Sequence, residues 1–292
     1  MIKAENISYT YMQGGPFEKK ALDNINIDIK EGEFLGLIGH TGSGKSTLIQ
    51  ILSGLLKPTE GKVFINGEPL FEKGTDMRKL RFNTGLVMQY PEYQLFEDTV
   101  FKDIAFGPLN MGLGEKEVKE RTLYAADLVG IEKDLLEKSP FDLSGGQKRR
   151  VAIAGVVAMN PKILILDEPA AGLDPAGREE ILYKIKDLHN RMNNTVILIS
   201  HSMEDVAKLA ERIVVLKSGR IISDGAACDV FKNKKMIFEA GLSLPQITEI
   251  CNRLKEMGMP LSDGIFTVEH AAAEIANCFC ANENKKKFET KA

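Results

Sequence analysis

The sequence contains no tryptophan and only four cysteines among its 292 residues. The cysteines, Cys228, Cys251, Cys278 and Cys280, all lie in the last quarter of the chain, and their spacing matches no zinc-binding pattern. A chain of this length has enough apolar content for a sizeable core and does not depend on disulfides. The scarcity of cysteine therefore argues against a disulfide framework and predicts reduced thiols in a cytosolic protein.

Long apolar runs and an excess of positive charge are also missing. The longest apolar run, residues 151–159, is far too short to span a bilayer, and the first residues form no apolar signal segment. The formal net charge is −3, which argues against general binding to nucleic acid. We therefore expect a protein that is not secreted, that binds no nucleic acid and that reaches a membrane only through partner proteins.

One stretch carries a specific chemical signal, because it fits the phosphate-binding pattern G-x-x-x-x-G-K-[S/T]. In such a loop, glycines let backbone N–H groups curl around phosphate oxygens, and the following helix directs its positive end at them. The lysine reaches the β- and γ-phosphates, and the next hydroxyl ligates Mg²⁺. The predicted nucleotide-binding residues are Gly39, His40, Thr41, Gly42, Ser43, Gly44, Lys45, Ser46 and Thr47, with Lys45 also catalytic and Ser46 also a metal ligand.

Apolar runs of strand length alternate with helical patterns along most of the chain. Residues 34–38 form such a run before the phosphate loop, and residues 163–167 and 195–199 form two more. This order predicts an α/β fold, a P-loop NTPase core with a mostly parallel sheet, whose strand ends gather the binding residues. The period-two alternation in residues 1–33 predicts an antiparallel β subdomain in front of this core.

Two acidic residues, Asp167 and Glu168, end the apolar strand at residues 163–167. A phosphate-loop enzyme needs a carboxylate to hold the Mg²⁺ shell, and Asp167 suits that role. Glu168 would then polarise the attacking water as a general base. Solvated acids often end a strand, but the phosphate loop favours the catalytic interpretation.

A second glycine-rich turn, Leu143-Ser144-Gly145-Gly146-Gln147, leads directly into a helical pattern. It is a second candidate anion site, although it lacks a lysine at the phosphate-loop spacing and, taken alone, is equally well explained as an ordinary turn. Together with the other motifs, it makes the sequence resemble the nucleotide-binding subunits of ATP-binding cassette (ABC) transporters, whose signature motif it matches letter for letter.

The resemblance implies ATP and Mg²⁺ as cofactors and a site shared between two chains. In the family, the signature of one subunit covers the γ-phosphate bound by another, which assigns nucleotide-binding roles to Ser144, Gly145, Gly146 and Gln147. One chain with a single copy of each motif must then pair with a second chain.

Four further positions match the family pattern. The resemblance implies that Tyr11 stacks on adenine, although a strand-face core residue remains an alternative. It implies that Gln89 senses Mg²⁺ as a nucleotide and metal contact, and that Asp174 touches the opposite subunit's active site. His201 would contact the γ-phosphate as a catalytic residue, although such a histidine is usually satisfied locally.

Residues 91–100 and 103–108 resemble those of energy-coupling factor (ECF) transporter ATPases, which narrows the resemblance to this group. The motif Pro-Glu-Tyr-Gln-Leu-Phe at residues 91–96 is most similar to the second of the two ATPase types in the group. The resemblance implies uptake of a vitamin or a transition-metal ion. It also implies a second ABC ATPase subunit (a heterodimer, with a homodimer as the alternative), a transmembrane coupling subunit and a substrate-binding membrane subunit. The expected location is peripheral, on the cytoplasmic face of the membrane.

We predict a nucleotide-binding domain at residues 1–226, with a helical subdomain at about 90–160, and a C-terminal helical extension at 227–292. Ser243 with Gln246 predicts a capping box in front of an amphipathic helix, and Thr267 predicts the cap of a second helix. Residues 282–292 are expected to be a frayed polar tail. The inward faces are predicted to contain Ile247, Ile250, Cys251 and Leu254 on the first helix and Val268, Ala271, Ala272, Ile275 and Phe279 on the second.

Two other functions are alternatives to a transporter ATPase. A soluble ABC protein that acts on ribosomes or DNA usually carries two cassettes or long inserted arms, and neither is visible in the sequence. A GTPase switch is suggested by Asp142-Leu143-Ser144-Gly145, which fits D-x-x-G. However, Asn233-Lys234-Lys235-Met236 lacks the carboxylate that guanine recognition needs, so this alternative is remote.

Overall fold

The computed structural model describes the backbone of residues 1–289 and the side chains of residues 1–279. The strands of this part are β1 Ile2–Tyr11, β2 Lys19–Ile29, β3 Phe34–Gly39, β4 Glu60–Ile65, β5 Glu68–Pro69, β6 Thr84–Val87, β7 Ile163–Asp167, β8 Thr195–Ile199, β9 Arg212–Lys217 and β10 Arg220–Ala226. Its α-helices are α1 Lys45–Leu52, α2 Met77–Asn83, α3 Val100–Asn110, α4 Glu115–Leu128, α5 Gly145–Val157, α6 Pro175–Met192, α7 Met203–Leu209, α8 Ala227–Lys232, α9 Lys234–Glu239, α10 Gln246–Glu256 and α11 Val268–Glu289.

The main sheet has the strand order β10-β9-β3-β8-β7-β6. The five strands from β9 to β6 are mutually parallel, and only β10 at the edge runs antiparallel to its neighbour. The predicted α/β fold with a mostly parallel sheet is therefore confirmed. Because β3, β6, β7 and β8 run in one direction, the residues that follow them emerge at the same edge of the sheet.

Side chains alternate between the two faces of this sheet, and both faces are covered. Leu164 and Leu166 of β7 join the apolar cluster that contains residues of α5 and α6. Ile163 and Ile165 join the cluster on the opposite face, which includes α1 and the N-terminal strands. Because both faces are buried, these strands are continuous apolar runs without a polar face.

A second sheet, of order β2-β1-β4-β5, is antiparallel throughout and confirms the predicted N-terminal β subdomain. Asn66 and Gly67 connect β4 to β5 with φ values of 53° and 80°, as expected for a two-residue hairpin turn. Apolar side chains of this sheet, including Ile2 and Ile25, pack in the same cluster as Leu35 and Leu37 of the main sheet.

Helices α3, α4 and α5 pack against one another and lie within residues 90–160, for which the sequence predicts a helical subdomain. These three helices are called the helical part below. Before them, Pro91–Gln94 forms a short 3₁₀ turn that follows β6. Strand β6 ends at Val87, so Gln89 lies two residues beyond the strand rather than at its last position.

Residues 227–289 contain four helices, where the sequence predicted two. Val230, Phe231 and Ile237, from α8 and α9, are part of the main apolar cluster. Helices α10 and α11 instead pack around a small separate cluster that contains Cys251 and Ala271. The domain boundary at residue 226 stays a prediction.

Several details of this region differ from the predictions. Pro245, not Ser243, precedes α10, and the carboxylate Oε1 of Glu204 accepts from the first amide N–H of the helix at 3.1 Å. The cap thus comes from another helix, which no local pattern could indicate. Thr267 does cap α11, since its Oγ1 accepts from the amide N of His270 at 3.3 Å.

The apolar faces of α10 and α11 are narrower than predicted, because only part of each face meets the other helix. Of the predicted inward residues, Cys251 and Ala271 are buried, and Ile247, Leu254 and Ile275 are partly buried. The exposed ones are Ile250, Val268, Ala272 and Phe279. Helix α11 continues to Glu289 through the predicted frayed tail, because glutamate and lysine are good helix formers, and residues 290–292 lie outside the described residues.

Candidate functional site

The phosphate loop lies between β3 and α1, at the edge of the main sheet where the parallel strands end. Gly44, just before α1, has a φ of 107°, and a Cβ there would lie 2.7 Å from the carbonyl oxygen of Ala21. A Cβ on Gly39 would lie 2.3 Å from the carbonyl oxygen of Leu216. Both glycines are therefore required by the close approach of the loop to the neighbouring backbone.

Lys45, the first residue of α1, folds back over the loop. Its Nζ donates hydrogen bonds to the carbonyl oxygens of Gly39 at 2.6 Å and His40 at 3.2 Å. Burial lowers the pKa of Lys45, and the charges of Glu168 and Asp167 oppose this effect. The ammonium group is thus held between the loop and the two carboxylates.

Asp167 is the last residue of β7 and is buried. Burial raises the pKa of Asp167, whereas the charge of Lys45 and a hydrogen bond from the Ser46 side chain lower it. Two of the three predicted metal ligands, Ser46 and Asp167, are therefore neighbours in the structure, although they lie on separate elements.

Glu168 follows Asp167 with a φ of 53°, a left-handed conformation that costs a non-glycine residue roughly 1–2 kcal/mol. Its side chain is nearly buried, and its Oε1 has no hydrogen-bond partner among the described residues. Burial raises the pKa of Glu168 to about 7. Backbone strain together with a shifted pKa is typical of functional sites rather than of strand ends in general.

His201 follows β8 and lies beside Glu168. Its Nε2 is 3.4 Å from the Oε1 of Glu168, and the side chain is half exposed. Burial lowers the pKa of His201, with smaller contributions from the charges of Lys45 and His40. The imidazole is therefore neutral at pH 7 and can offer either a donor or an acceptor nitrogen to a neighbouring group.

Two cavities adjoin these residues. One, of about 370 Å³, is lined by Glu168, His201 and the segment that follows Glu168. The other, of about 450 Å³, is lined by the phosphate loop and by Tyr11. Lys45 lines the second cavity and is close enough to Glu168 of the first for their charges to interact.

Tyr11 ends β1 beside the phosphate loop. Its hydroxyl forms a 3.1 Å hydrogen bond with Oγ1 of Thr47, and the residue, which is 39% exposed, lines the loop cavity. Met12 and Phe17, which the sequence interpretation did not assign to the site, line the same cavity. Their position at the cavity could not be inferred from the sequence, because it depends on how the segment between β1 and β2 folds back toward the phosphate loop.

The signature residues form the N-terminus of α5. The Oγ of Ser144 accepts from the amide N of Gln147 at 3.4 Å, and the amide N of Ser144 donates to Oε1 of Gln147 at 3.0 Å. This capping box leaves Ser144 and Gly145 exposed. Among the described residues, no hydrogen bond or ion pair joins the signature residues Ser144–Gln147 to the phosphate loop.

Gln89 and Asp174 lie on two segments near this edge of the sheet. Gln89 is exposed and follows β6, which pairs with β7 so that Val87 is opposite Leu166. Asp174 is the N-cap of α6, where its Oδ1 accepts from the amide N of Gly177 at 3.3 Å. The structure thus gives Asp174 a capping role and leaves Gln89 free of hydrogen bonds within the described residues.

The residues of the site fit a nucleoside triphosphate with one Mg²⁺ ion. The buried Oγ of Ser43 in the loop and Oε1 of Glu168 both lack hydrogen-bond partners among the described residues, as expected where a ligand completes the bonding. No group of three or more His, Cys, Asp or Glu side chains in the described part could hold a metal by itself. One carboxylate and one hydroxyl suit Mg²⁺, which binds through few protein ligands plus substrate phosphates.

The fold and the phosphate loop define a nucleotide-binding protein of the P-loop NTPase class. The ABC transporter family profile matches residues 22–171, about half of the chain. An energy-coupling factor transporter ATP-binding protein EcfA2 of Clostridium acetobutylicum is 58% identical over 275 residues, which cover 94% of this chain and 96% of the relative. The protein of the same name from Caldanaerobacter subterraneus subsp. tengcongensis is 53% identical, with 97% and 99% covered.

The chain therefore belongs to the ABC transporter family, among its energy-coupling factor transporter ATP-binding proteins. This confirms the resemblance, including that to the second of the two ATPase types. ATP binding follows from membership of the family. The relatives are transporter proteins by name, which favours a transporter ATPase over a soluble ABC protein that acts on ribosomes or DNA.

Solved structures show the same fold. The cbiO1 protein of Clostridium perfringens, described as part of the ABC transporter complex cbiONQ, matches 86% of this chain and 98% of its own, with a TM-score of 0.73 and 39% identity. The ATP-binding cassette MJ0796, in a dimeric post-hydrolysis state with ADP and Pi, matches 78% and 99%, with a TM-score of 0.70 and 32% identity. In the described part of this chain, no helix has the length and apolar character needed to cross a membrane.

Proposed function

We propose that this chain is the ATP-hydrolysing subunit of an energy-coupling factor importer, in which closing and opening of an ATPase dimer powers uptake through membrane partners. One observation supports this proposal most strongly: Lys45, Glu168 and His201, from three separate segments, meet at one edge of the sheet. Lys45 supplies a cation that can bind phosphate, Glu168 a carboxylate that can accept a proton, and His201 a neutral imidazole. Those are the groups that attack on a terminal phosphate requires.

Binding of the nucleotide begins at the phosphate loop. The Nζ of Lys45, now bonded to two loop carbonyls, would exchange them for oxygens of the β- and γ-phosphates, which are stronger acceptors because they are charged. The N-terminus of α1 adds its positive dipole. Tyr11 would stack on adenine, since its ring borders the same cavity.

Hydrolysis requires a water molecule to lose a proton as it attacks the γ-phosphate. Glu168 is suited to accept this proton, because burial raises its pKa to about 7 and a base is most effective when its pKa lies near the working pH. His201, 3.4 Å away, would contact the γ-phosphate and help to orient the water. The surrounding backbone hydrogen bonds, from the amide N of Glu168 to the carbonyl oxygen of Ile199 at 3.0 Å and from the amide N of Ala171 to the carbonyl oxygen of Glu168 at 3.1 Å, hold Glu168 in its strained conformation.

Mg²⁺ would be held by Ser46 and Asp167, with Gln89 contributing after a movement toward them. When bound, the ion neutralises developing charge on the phosphate oxygens. Asp167 suits the role because its carboxylate is buried, and a cation bound beside it would offset the cost of desolvation that raises its pKa.

A second chain is needed to complete the site. The N-terminus of α5 is formed by the signature residues Ser144–Gln147, of which Ser144 and Gly145 are exposed. Among the described residues, these four form no hydrogen bond or ion pair with the phosphate loop of the same chain. We propose that they cover the γ-phosphate on a second ATPase subunit, with Asp174 near the opposite site. The likeness of this chain to the second of the two ATPase types favours a heterodimer with a first-type subunit over a homodimer.

The transmembrane coupling subunit would dock on an apolar groove of the helical part. Phe96 and Phe106, 56% and 44% exposed, meet edge to face at 4.8 Å and border a cavity of about 290 Å³ that also contacts Gly107 and Met159. Leu95 is buried in the core, so Phe96 rather than Leu95 presents the docking face. A substrate-binding membrane subunit would hold the transported vitamin or metal ion, and this chain would lie on the cytoplasmic face.

The test uses the chain copurified with its membrane partners. We expect the wild-type complex to hydrolyse ATP and to take up its substrate in vesicles. Glu168→Gln should bind ATP, hydrolyse it negligibly and persist as a closed dimer. Wild-type turnover in this variant would remove Glu168 from the mechanism, and copurification with ribosomes or DNA alone would contradict transport.

A further inference from the structure

Arg149, in the second turn of α5, is one of the largest fully buried side chains of the protein. Its Nε donates to Oε2 of Glu92 at 3.1 Å, and its Nη2 donates to Oε1 at 2.8 Å and to Oε2 at 3.1 Å. Its Nη1 donates to the carbonyl oxygens of Pro169, at 3.4 Å, and Ala171. One side chain thus joins a carboxylate and two backbone carbonyls.

The three segments that meet at Arg149 carry different parts of the proposed site. Helix α5 begins at the signature residues next to Ser144. Glu92 lies in the 3₁₀ turn three residues after Gln89, in the stretch that leads to the docking groove. Pro169 and Ala171 belong to the loop that follows Glu168. Ala171 lines the same cavity as Glu168.

The chemistry of this contact argues for positioning rather than for stability alone. Taking two charges out of water is costly, and a buried ion pair adds little stability compared with well-packed apolar side chains. Only a guanidinium offers planar donors that can bond a carboxylate on one edge and carbonyls on the other. The contact fixes the relative placement of helix α5, the 3₁₀ turn and the loop after Glu168, because its hydrogen bonds have a fixed direction that apolar contacts lack.

We propose that Arg149 is a positioning residue for ATP turnover, which holds the loop after Glu168 in register with the signature helix and with the turn that contains Glu92. The proposal rests on the proposed function, because it concerns the same reaction. Arg149 touches neither nucleotide nor water in this scheme. Its loss should therefore reduce the turnover rate and leave nucleotide affinity unchanged, because Lys45 and the phosphate loop lie elsewhere.

The experiment compares full-length variants in the membrane complex. Arg149→Met alone leaves Glu92 without its partner, so the double variant Arg149→Met/Glu92→Gln removes both charges and avoids an unpaired buried one. We measure thermal unfolding, the Kd for a non-hydrolysable ATP analogue, and kcat. We expect the double variant to fold and bind the analogue normally, with kcat lowered on the order of ten- to a hundredfold, the range that small misplacements of reacting groups produce.

Arg121→Met is the matched control. Arg121 lies on α4 in the same helical part and likewise bonds a carboxylate, Glu117, and a carbonyl oxygen, that of Met159. It forms no hydrogen bond with the three segments that meet at Arg149, and because Met159 borders the docking groove, assembly of this variant is checked by copurification before kcat is compared. Arg121→Met should keep the wild-type kcat. Arg149→Lys keeps the charge without the planar fork and should recover kcat only in part.

Three results would overturn the proposal. The first is a folded double variant with wild-type kcat. The second is loss of folding or of analogue binding in both the single and the double variant, which would make the contact purely structural. The third is a wild-type complex that hydrolyses no ATP, which would refute the proposed function itself, and is recognised before any variant is compared.

Discussion

The Nε2 atom of His201 lies 3.4 Å from the Oε1 atom of Glu168, although the two residues lie on segments that are far apart in the sequence. The reason is the parallel pairing of β7 with β8, in which Asp167 is opposite Ile199. Residues that follow the two strands therefore leave the sheet side by side. This pairing places a carboxyl with a raised pKa next to an imidazole with a lowered one.

The raised pKa of Glu168 predicts that its carboxylate destabilises the folded protein when no nucleotide or Mg²⁺ is bound. The pKa is about 7 in the folded state against 4.5 unperturbed, so the folded state binds the proton more tightly. The destabilisation is absent below about pH 4.5, grows as the pH rises to about 7, and is complete above that. It amounts to roughly 3 kcal/mol.

Urea unfolding of wild type and Glu168→Gln, at pH 5 and pH 8 without nucleotide or Mg²⁺, checks this prediction. Glu168→Gln should gain stability relative to wild type between pH 5 and pH 8. Glu60→Gln, which changes an exposed glutamate, should show no such gain. A pH-independent difference for Glu168→Gln would contradict the burial of an ionising carboxyl.

Tyr11 is predicted to contribute to nucleotide affinity through its ring rather than its hydroxyl. Tyr11→Ala should weaken ATP binding by about tenfold or more, because stacking of a base on an aromatic ring is worth about 1–3 kcal/mol. Tyr11→Phe removes only the hydrogen bond to Thr47 and should bind ATP nearly as well as wild type. Equilibrium titration with a fluorescent ATP analogue gives both affinities.

Binding of inorganic triphosphate, which has no base, supplies the control for Tyr11. Its affinity should be the same in wild type and Tyr11→Ala. If Tyr11→Ala weakens ATP and triphosphate equally, Tyr11 supports the fold of the loop and does not stack on adenine.

Ser144 is predicted to act in the dimer and not in the first capture of ATP. Ser144→Ala removes a helix cap, which costs about 1 kcal/mol of stability, and it also removes the hydroxyl offered to the γ-phosphate of the second subunit. ATP affinity of the monomer should therefore persist, whereas dimerisation in Glu168→Gln should be lost. Analytical ultracentrifugation with ATP measures the dimer.

Thr99→Ala is a matched control for Ser144, because Thr99 caps α3 in the same helical part by accepting from the amide N of Lys102. It should cost similar stability and leave the ATP-dependent dimer intact. Equal loss of the dimer in Thr99→Ala and Ser144→Ala would attribute the effect to helix stability alone.

The docking groove is predicted to depend on Phe96 and Phe106. Phe96→Glu should prevent assembly with the membrane subunits, because it would place a charge on an apolar contact that becomes desolvated. ATP affinity of the isolated chain should not change, since the phosphate loop is on another part of the molecule. Copurification with the membrane subunits measures assembly.

Tyr183→Glu changes another exposed aromatic residue, on α6, and should leave assembly intact. Normal assembly and transport with Phe96→Glu would show that the coupling subunit docks elsewhere.

Local patterns sufficed for much of the architecture. The phosphate loop, the apolar strands with acidic or polar ends and the Asn66-Gly67 hairpin each depend on residues close in sequence, and the structure contains all of them. The order of the motifs along the chain also indicated the family, because each motif is a short run of residues that can be recognised without knowing the strand order in the sheet.

Contacts between distant segments were not predictable in the same way. The cap of α10 by Glu204 and the burial of Leu95 beside an exposed Phe96 both depend on packing partners. Arg149 gave no sequence signal, because its carboxylate partner, Glu92, lies 57 residues away.

By itself, the sequence determined which residues can bind phosphate, activate water and begin a signature helix, since these properties reside in residue type and short spacing. Only the tertiary structure decided which of them meet. Parallel strand pairing brought Glu168 to His201, and burial raised the pKa of Glu168, because desolvation is a property of the surrounding fold and not of the residue.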